Sequence, residues 1–169
     1  MYAPQNYDGK FHGTVTVRSA LANSYNVPAV KTLHKIGVPT MVETGKKMGI
    51  ESWNTPPTAG LSLTLGGSEV TMMDMARAYG TIANLGVKKD LKFIKDIKDG
   101  QGNRLPDRFF ALNPSPDGKD LRVVEKAQAD ENQQAISPIA AYWLTDILSD
   151  NVARLPAFGS YAKLTVPNH

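Results

Sequence analysis

The stretch RSALANSYNVPAVKTLHKIG, residues 18–37, decides the fold because it predicts two helices joined by a short polar junction. Thr16 is a suitable N-cap for the first helix, in which apolar residues recur at helical spacing until Asn23 or Ser24. The second helix is predicted to start at Asn26. We therefore expect a Ser-x-Asn tripeptide to lie between two helices.

The same residues also have an ordinary structural interpretation. Asn26 would serve as the N-cap of the second helix, with Pro28 near its first position. That helix is expected to end at Gly37, a residue that readily adopts the left-handed region after a helix. Because short motifs often match by chance, the tripeptide alone indicates a helix junction and no particular chemistry.

Three longer blocks surround and follow this junction. They are PQNYDGKFHGTVTVRSALANSYNVPAVKTLHKIGV from residue 4, GLSLTLGGSEVTMMDMARAYGTIANLG from residue 60, and AISPIAAYWLTDILSDNVARLPAFG from residue 135. Together they resemble the transpeptidase domain of bifunctional (class A) penicillin-binding proteins, over nearly the whole chain. Three ordered blocks at family-like spacing are stronger evidence than one tripeptide.

The resemblance implies a fold and an activity. The fold would be α+β, the mainly helical portion of a penicillin-binding-protein/serine β-lactamase-like transpeptidase fold, with a small β-hairpin. The family uses Ser-x-x-Lys, Ser-x-Asn and Lys-Thr-Gly, of which only the middle motif is present in family order. Residues 1–169 are therefore expected to be a partial transpeptidase domain, incomplete at both ends. The complete enzyme would cross-link peptidoglycan stem peptides through an acyl-serine intermediate and would bind β-lactams, whereas this chain alone is expected to be inactive.

The resemblance also implies roles for the tripeptide. Ser24 would pass a proton toward the departing D-alanyl amine, and Asn26 would hydrogen-bond the backbone amide of the substrate and help to orient the lysine. A hydroxyl both donates and accepts, and a carboxamide does so without adding charge. Tyr25 is expected either to line the cleft or to be a packed aromatic residue. Both polar side chains should be accessible from one cleft.

Two other functions stay open from the sequence. One is a serine β-lactamase-like hydrolase fragment, which would share the three motifs, and the other is a noncatalytic helical binding module. Ser160 to Lys163 matches Ser-x-x-Lys by letter, but it follows Ser-x-Asn and does not open an apolar helix. We interpret it as a chance match in an exposed turn.

Composition excludes several kinds of site. The chain has 169 residues, 41% of them hydrophobic, with a net charge of +3 and no cysteine, so it has no disulfides and no thiolate metal sites. The histidines at 12, 34 and 169 lack paired metal-ligand spacing, so no metal or other cofactor is expected. Aspartates interrupt the lysines between residues 88 and 98, which favours a solvated hairpin over nucleic-acid binding.

Location follows only from the resemblance. It implies the outer face of the bacterial cytoplasmic membrane for the complete enzyme. The N-terminal MYAPQNYDGK has no basic n-region or apolar h-region, so no export signal or membrane anchor is expected in this chain. Membrane contact would come only through upstream segments.

The remaining pattern predicts further helices and one hairpin. A third helix is predicted from Pro39 to Gly49, although Gly45 inside it has a low helix propensity. A surface loop is predicted over 52–67. Thr71 to Asp74 resembles a capping box that opens a deeply buried helix with Met72, Met73 and Met75 in the core. Strands are predicted around a turn at 99–102 and at Val123 and Val124, and Ser137 is predicted to cap a last helix.

Overall fold

The computed structural model describes residues 3–54, 58–91, 96–104, 112–114, 121–123 and 134–160. The described residues divide into two compact units, one drawn from residues 1–89 and 134–169 and the other from 90–133. The described part of the chain is mainly helical. Its helices are α1 (Val17–Ala22), α2 (Asn26–Ile36), α3 (Val38–Lys47), α4 (Met72–Ala83), α5 (Pro138–Ser149) and α6 (Leu155–Phe158).

Short-range capping accounts for the helix starts that the sequence predicts. The Thr16 side chain accepts a hydrogen bond from the Ser19 N–H at the start of α1, and the Ser137 side chain accepts one from Ala140 at the start of α5. Gly37 ends α2 as predicted. Its φ of 85° is positive, but its ψ of 143° lies outside the left-handed helical region that we expected.

The core of the first unit lies where α2, α3 and α4 meet two short 3₁₀ helices. Its buried side chains are Leu33, Val42, Ile50, Trp53, Leu63 and Ala78. The glycine inside α3 has a packing reason, because a Cβ on Gly45 would lie 2.5 Å from the ring of Trp53. The indole therefore requires a residue without a side chain at this position.

The surface loop predicted over 52–67 is wrong at its start and in its second half. Residues Glu51–Asn54 and Gly60–Leu65 form 3₁₀ helices, and Leu63 belongs to the core, while 55–57 lie outside the described residues. Glycine and proline content indicated a loop, but the apolar side chains of this segment order the second 3₁₀ helix: Leu63 is buried in the core, and Ala59 and Leu61 pack against it.

Helix α4 starts with the predicted capping box, and both of its hydrogen bonds are present. The prediction that its methionines are core residues is wrong, because the side chains are exposed and Met72 retains 89% of its accessible surface. The buried face of α4 instead carries Asp74, Ala78 and Thr81, at helical spacing. The buried Asp74 carboxylate accepts hydrogen bonds from the first 3₁₀ helix. This contact orients α4 so that its methionines face outward.

Helix α5 packs against α1 and α4 through buried side chains that include Ala141 and Ile147. Arg18 of α1 forms an ion pair with Asp146 and another, at 2.8 Å, with Asp150. These carboxylates draw the guanidinium across the contact, so α1 is held to the last long helix by charge as well as by packing.

The second unit contains two short strands, β1 (Leu112–Pro114) and β2 (Leu121–Val123), which pair antiparallel with Asn113 opposite Arg122. The hairpin predicted around the turn at 99–102 is not confirmed. A single bridge joins Lys98 to Arg104, and 92–95 and 105–111 lie outside the described residues. Of the strand predicted at Val123 and Val124, the second residue also lies outside them.

Candidate functional site

The Ser-x-Asn tripeptide lies between α1 and α2. Ser24 is exposed and has a φ of 55°, a left-handed conformation that is uncommon for a residue with a side chain. Backbone hydrogen bonds hold it there, because the Ser24 N–H donates to the Leu21 carbonyl and the Tyr25 N–H donates to the Ala20 carbonyl. The junction is thus a tight reversal that brings Ser24 to the surface between the helices.

Asn23 fixes this reversal from beneath. Its side chain is buried, its Nδ2 donates to the carbonyls of Ser19 and Ala153 at 2.9 Å each, and its Oδ1 accepts from the Ala157 N–H at 3.0 Å. It therefore ties the end of α1 to the segment that enters α6. Sequence reasoning missed this role, because its partners lie about 130 residues away and no periodic pattern signals them.

Asn26 does not cap α2, so the N-cap interpretation is wrong. Tyr25 occupies the N-cap position without a side-chain bond, and Asn26 is the first helical residue. The Nδ2 of Asn26 donates to the Gln5 carbonyl at 2.8 Å, while the Oδ1 of Asn6 accepts from the Val27 N–H at 3.1 Å. The cap comes from another segment, which leaves the Asn26 carboxamide available for other contacts.

Tyr25 stacks on His12, with ring centroids 4.2 Å apart and an interplanar angle of 12°. His12 Nε2 lies 2.9 Å from Asp8 Oδ2. The hydrogen bond from the Lys10 N–H holds the pKa of the Asp8 carboxyl below its usual range, and His12 adds to this effect. Tyr25 also lines the cavity beside the junction. It is therefore both a packed aromatic residue and a residue of the cleft, the two roles that the sequence left open.

A cavity of about 910 Å³ opens beside the junction, and Ser24, Tyr25 and Asn26 all line it. Its other walls come from Asn6 and residues 11–17, from Ala20 and Leu21 of α1, from α2, from Met41 of α3, and from Thr64 and Leu65 at the end of the second 3₁₀ helix. The structure therefore brings the three predicted site residues to one cleft. Its walls are mostly apolar and include the polar groups of the tripeptide, a composition typical of binding sites for organic ligands.

Two polar groups of the tripeptide are free to bind a ligand. Within the described residues, neither the Ser24 hydroxyl nor the Asn26 Oδ1 has a hydrogen-bond partner in the protein. The hydroxyl can both accept and donate a proton, and the amide oxygen can accept an N–H from a peptide-like ligand. No aspartate, glutamate or histidine cluster among the described residues has the three members that a metal site needs.

None of the helices in the described ranges is long and apolar enough to cross a membrane. Ser160 is exposed in the turn after α6, and its partner in the chance Ser-x-x-Lys match, Lys163, lies outside the described residues. His169 and the lysines at 92 and 95 also lie outside them.

Comparison with known proteins gives one consistent result. The sequence model of the family described as penicillin binding protein transpeptidase domain matches residues 2–163. The chain is 44% identical over 104 residues to penicillin-binding protein 1A of Aquifex aeolicus, covering 62% of this chain and 14% of that protein. It is 31% identical over 163 residues to penicillin-binding protein 1A of Rickettsia bellii, covering 94% of this chain and 20% of that protein.

A relative from a third organism agrees. The chain is 40% identical over 108 residues to penicillin-binding protein 1F of Bacillus subtilis, covering 63% of this chain and 15% of that protein. The chain thus spans no more than a fifth of the length of these three relatives.

Proposed function

Because this chain belongs to the penicillin-binding protein transpeptidase family, we propose that it is a segment of a peptidoglycan D,D-transpeptidase. In the longer protein, adjoining sequence supplies the Ser-x-x-Lys and Lys-Thr-Gly motifs, and this chain supplies Ser-x-Asn. The longer protein acts at the outer face of the cytoplasmic membrane on peptidoglycan stem peptides, and β-lactams acylate it. The chain by itself does not catalyse the reaction.

The reaction proceeds in two acyl transfers. The nucleophilic serine attacks the carbonyl of the penultimate D-alanine, an acyl-serine ester forms, and the terminal D-alanine leaves as an amine that takes up a proton. An amine of a second stem peptide then attacks the ester, loses a proton and releases the serine. Both steps need a group that moves a proton at the amine nitrogen.

Ser24 is the group that we assign to that proton transfer. Its hydroxyl accepts a proton from one neighbour while donating its own to the departing amine, so it relays charge without holding it. The left-handed backbone at Ser24 exposes the hydroxyl at the edge of the cavity. Its lack of a protein partner among the described residues keeps both lone pairs and the proton available to the substrate.

Asn26 holds the substrate backbone. The Gln5 carbonyl can only accept a hydrogen bond, so the Asn26 side chain presents Nδ2 to it and Oδ1 remains for the substrate. An amide oxygen at that position accepts the N–H of an extended peptide. The observation that carries the proposal is that a residue with a free hydroxyl and a residue with a free amide oxygen line the same cavity.

The test uses an extended protein that joins this chain to segments carrying Ser-x-x-Lys and Lys-Thr-Gly. The measurement is the second-order rate of acylation by a fluorescent penicillin. Ser24→Ala should slow acylation by about 10²- to 10⁴-fold, the usual contribution of a positioned proton-transfer group. Asn26→Ala should also slow it, through the lost substrate hydrogen bond.

Ser19→Ala is the matched control, because Ser19 lies on α1 close to the tripeptide but does not line the cavity. It should acylate at nearly the parent rate. Circular dichroism must show that each variant is folded. Parent-like acylation by folded Ser24→Ala and Asn26→Ala proteins would mean that the tripeptide is only a helix junction.

A further inference from the structure

Asn6 lies twenty residues before Asn26 and is only 6% exposed. Its Oδ1 accepts from the Val27 N–H at 3.1 Å, and its Nδ2 donates to the Lys10 carbonyl at 2.7 Å. The carbonyl of the preceding residue, Gln5, accepts from the Asn26 side chain. Residues 5 and 6 therefore hold Asn26 at two points, its own carboxamide and the backbone N–H of the next residue.

The turn that contains Asn6 is closed by its own hydrogen bonds. The Gly9 N–H donates to the Asn6 carbonyl at 2.9 Å, the Lys10 N–H donates to Asp8, and the Asn6 side chain reaches the Lys10 carbonyl. Because the turn is closed, the Gln5 carbonyl cannot move away from α2 without breaking a bond of the buried Asn6 side chain. Breaking that bond would leave an unpaired buried polar group, which is costly. Residues 5–10 therefore hold Asn26 rigidly.

The hydrogen bond to the Gln5 carbonyl fixes the orientation of the Asn26 carboxamide. If the amide flipped, two oxygens would face each other at Gln5, and an N–H would replace the free oxygen that we assign to the substrate. The bond from the Val27 N–H to Asn6 keeps the first turn of α2 fixed beneath that side chain. Asn6 thus holds the first turn of α2 directly, and it holds the direction of the Asn26 carboxamide through the neighbouring Gln5 carbonyl.

We propose that Asn6 is a positioning residue for the transpeptidase reaction, acting through Asn26. The inference rests on the proposed function, because it takes from there the role of the Asn26 amide oxygen. Asn6 needs no contact with the reacting atoms for this. It sets where the oxygen that accepts the substrate N–H will lie.

The experiment measures acylation of the extended protein by fluorescent penicillin. Folded Asn6→Ala should acylate about 10- to 100-fold more slowly, since misplacement of a positioned group by about 1 Å can cost ~10² in rate. Asn6→Asp keeps an oxygen for the Val27 N–H at the N-terminus of α2 but has no N–H to donate to the Lys10 carbonyl, so it should acylate faster than Asn6→Ala and more slowly than the parent.

A double-mutant cycle separates positioning from general destabilisation. In the Asn26→Ala background, adding Asn6→Ala should slow acylation by less than about threefold, because the group that Asn6 orients is already gone. Thr81→Ala is the matched control, since Thr81 is a fully buried polar residue whose hydroxyl is hydrogen-bonded but which does not line the cavity. It should lower stability without a comparable loss of acylation rate.

The possible results are distinguishable. Parent-like acylation by folded Asn6→Ala, or an equal slowing by Asn6→Ala in the parent and in the Asn26→Ala background, overturns the positioning role. If Asn6→Ala does not fold, the acylation rate of Asn6→Asp is the test. A loss of rate as large as that caused by Asn26→Ala then overturns the proposal. Parent-like acylation by Asn26→Ala would instead refute the function proposed for the tripeptide.

Discussion

Replacing Asp74 by alanine should destabilise the first unit more than any single change on an exposed face. Asp74 is 2% exposed and lies at the third position of α4. Its carboxylate accepts the N–H groups of Glu51 at 3.1 Å, Ser52 at 3.2 Å and Thr71 at 3.4 Å. One side chain thus closes the capping box of α4 and holds the first 3₁₀ helix against it.

Those three bonds set the magnitude, because Arg77 Nη1, which lies 3.4 Å from the same carboxylate, keeps Glu51 as a partner at 3.1 Å when Asp74 is removed. A typical hydrogen bond contributes about 1 kcal/mol net, and bonds to a charged acceptor contribute about 1.5–3 kcal/mol. Glu51, Ser52 and Thr71 are exposed residues, so water can partly replace the carboxylate at their N–H groups. We therefore use the value for a typical hydrogen bond, about 1 kcal/mol, for each of the three. The loss is then about 3 kcal/mol. The better helix propensity of alanine, about 0.5 kcal/mol, is cancelled by the lost acidic residue in the first turn.

The same carboxylate makes stability depend on pH. Burial by itself raises the pKa of Asp74, but the hydrogen bonds from Ser52, Glu51 and Thr71 outweigh it and hold the pKa far below its usual range. A lowered native pKa stabilises the fold above the unfolded pKa of about 3.9, and this contribution is lost as the pH falls further. The stability difference between the parent and Asp74→Asn should therefore shrink below about pH 4.

Urea unfolding of the chain, followed by tryptophan fluorescence and circular dichroism, measures the effect. Trp53 reports on the core because it is buried there. With a slope near 2 kcal/mol per molar urea, a loss of about 3 kcal/mol moves the midpoint by roughly 1.5 M. Glu43→Ala, which removes the exposed ion pair with Lys47 on α3, should leave the midpoint nearly unchanged. A shift of less than about 0.3 M for Asp74→Ala would refute the reasoning.

Two further predictions concern glycine and labelling. Gly45→Ala should destabilise the chain by about 1–3 kcal/mol despite its better helix propensity, because the new Cβ would overlap the Trp53 ring. Gly80→Ala, in α4 with open space around the new Cβ, should stabilise by about 0.5–1 kcal/mol. Urea midpoints that shift in the same direction for both would contradict this. The chain incubated alone with fluorescent penicillin should show no covalent label, and mass spectrometry that finds stoichiometric acylation at Ser160 would refute our interpretation of that motif.

The sequence by itself determined the features that depend on neighbours within about four residues. Thr16, Thr71 and Ser137 cap helices because a side-chain oxygen can reach an N–H three residues later whatever the rest of the fold does. Gly37 ends α2 for an equally local reason. The helix junction at Ser24 to Asn26 followed from these signals, and three ordered blocks of sequence were enough to indicate the family.

Only the tertiary structure decided which groups meet. The periodicity of α4 fits either face toward the core, and the buried carboxylate of Asp74, bound to a segment more than twenty residues away, selected the face that leaves the methionines exposed. Asn6 caps α2 across 21 residues, and Asn23 reaches segments 130 residues away. Such bonds join chain segments that no repeat or spacing relates, because their geometry exists only after the helices have packed.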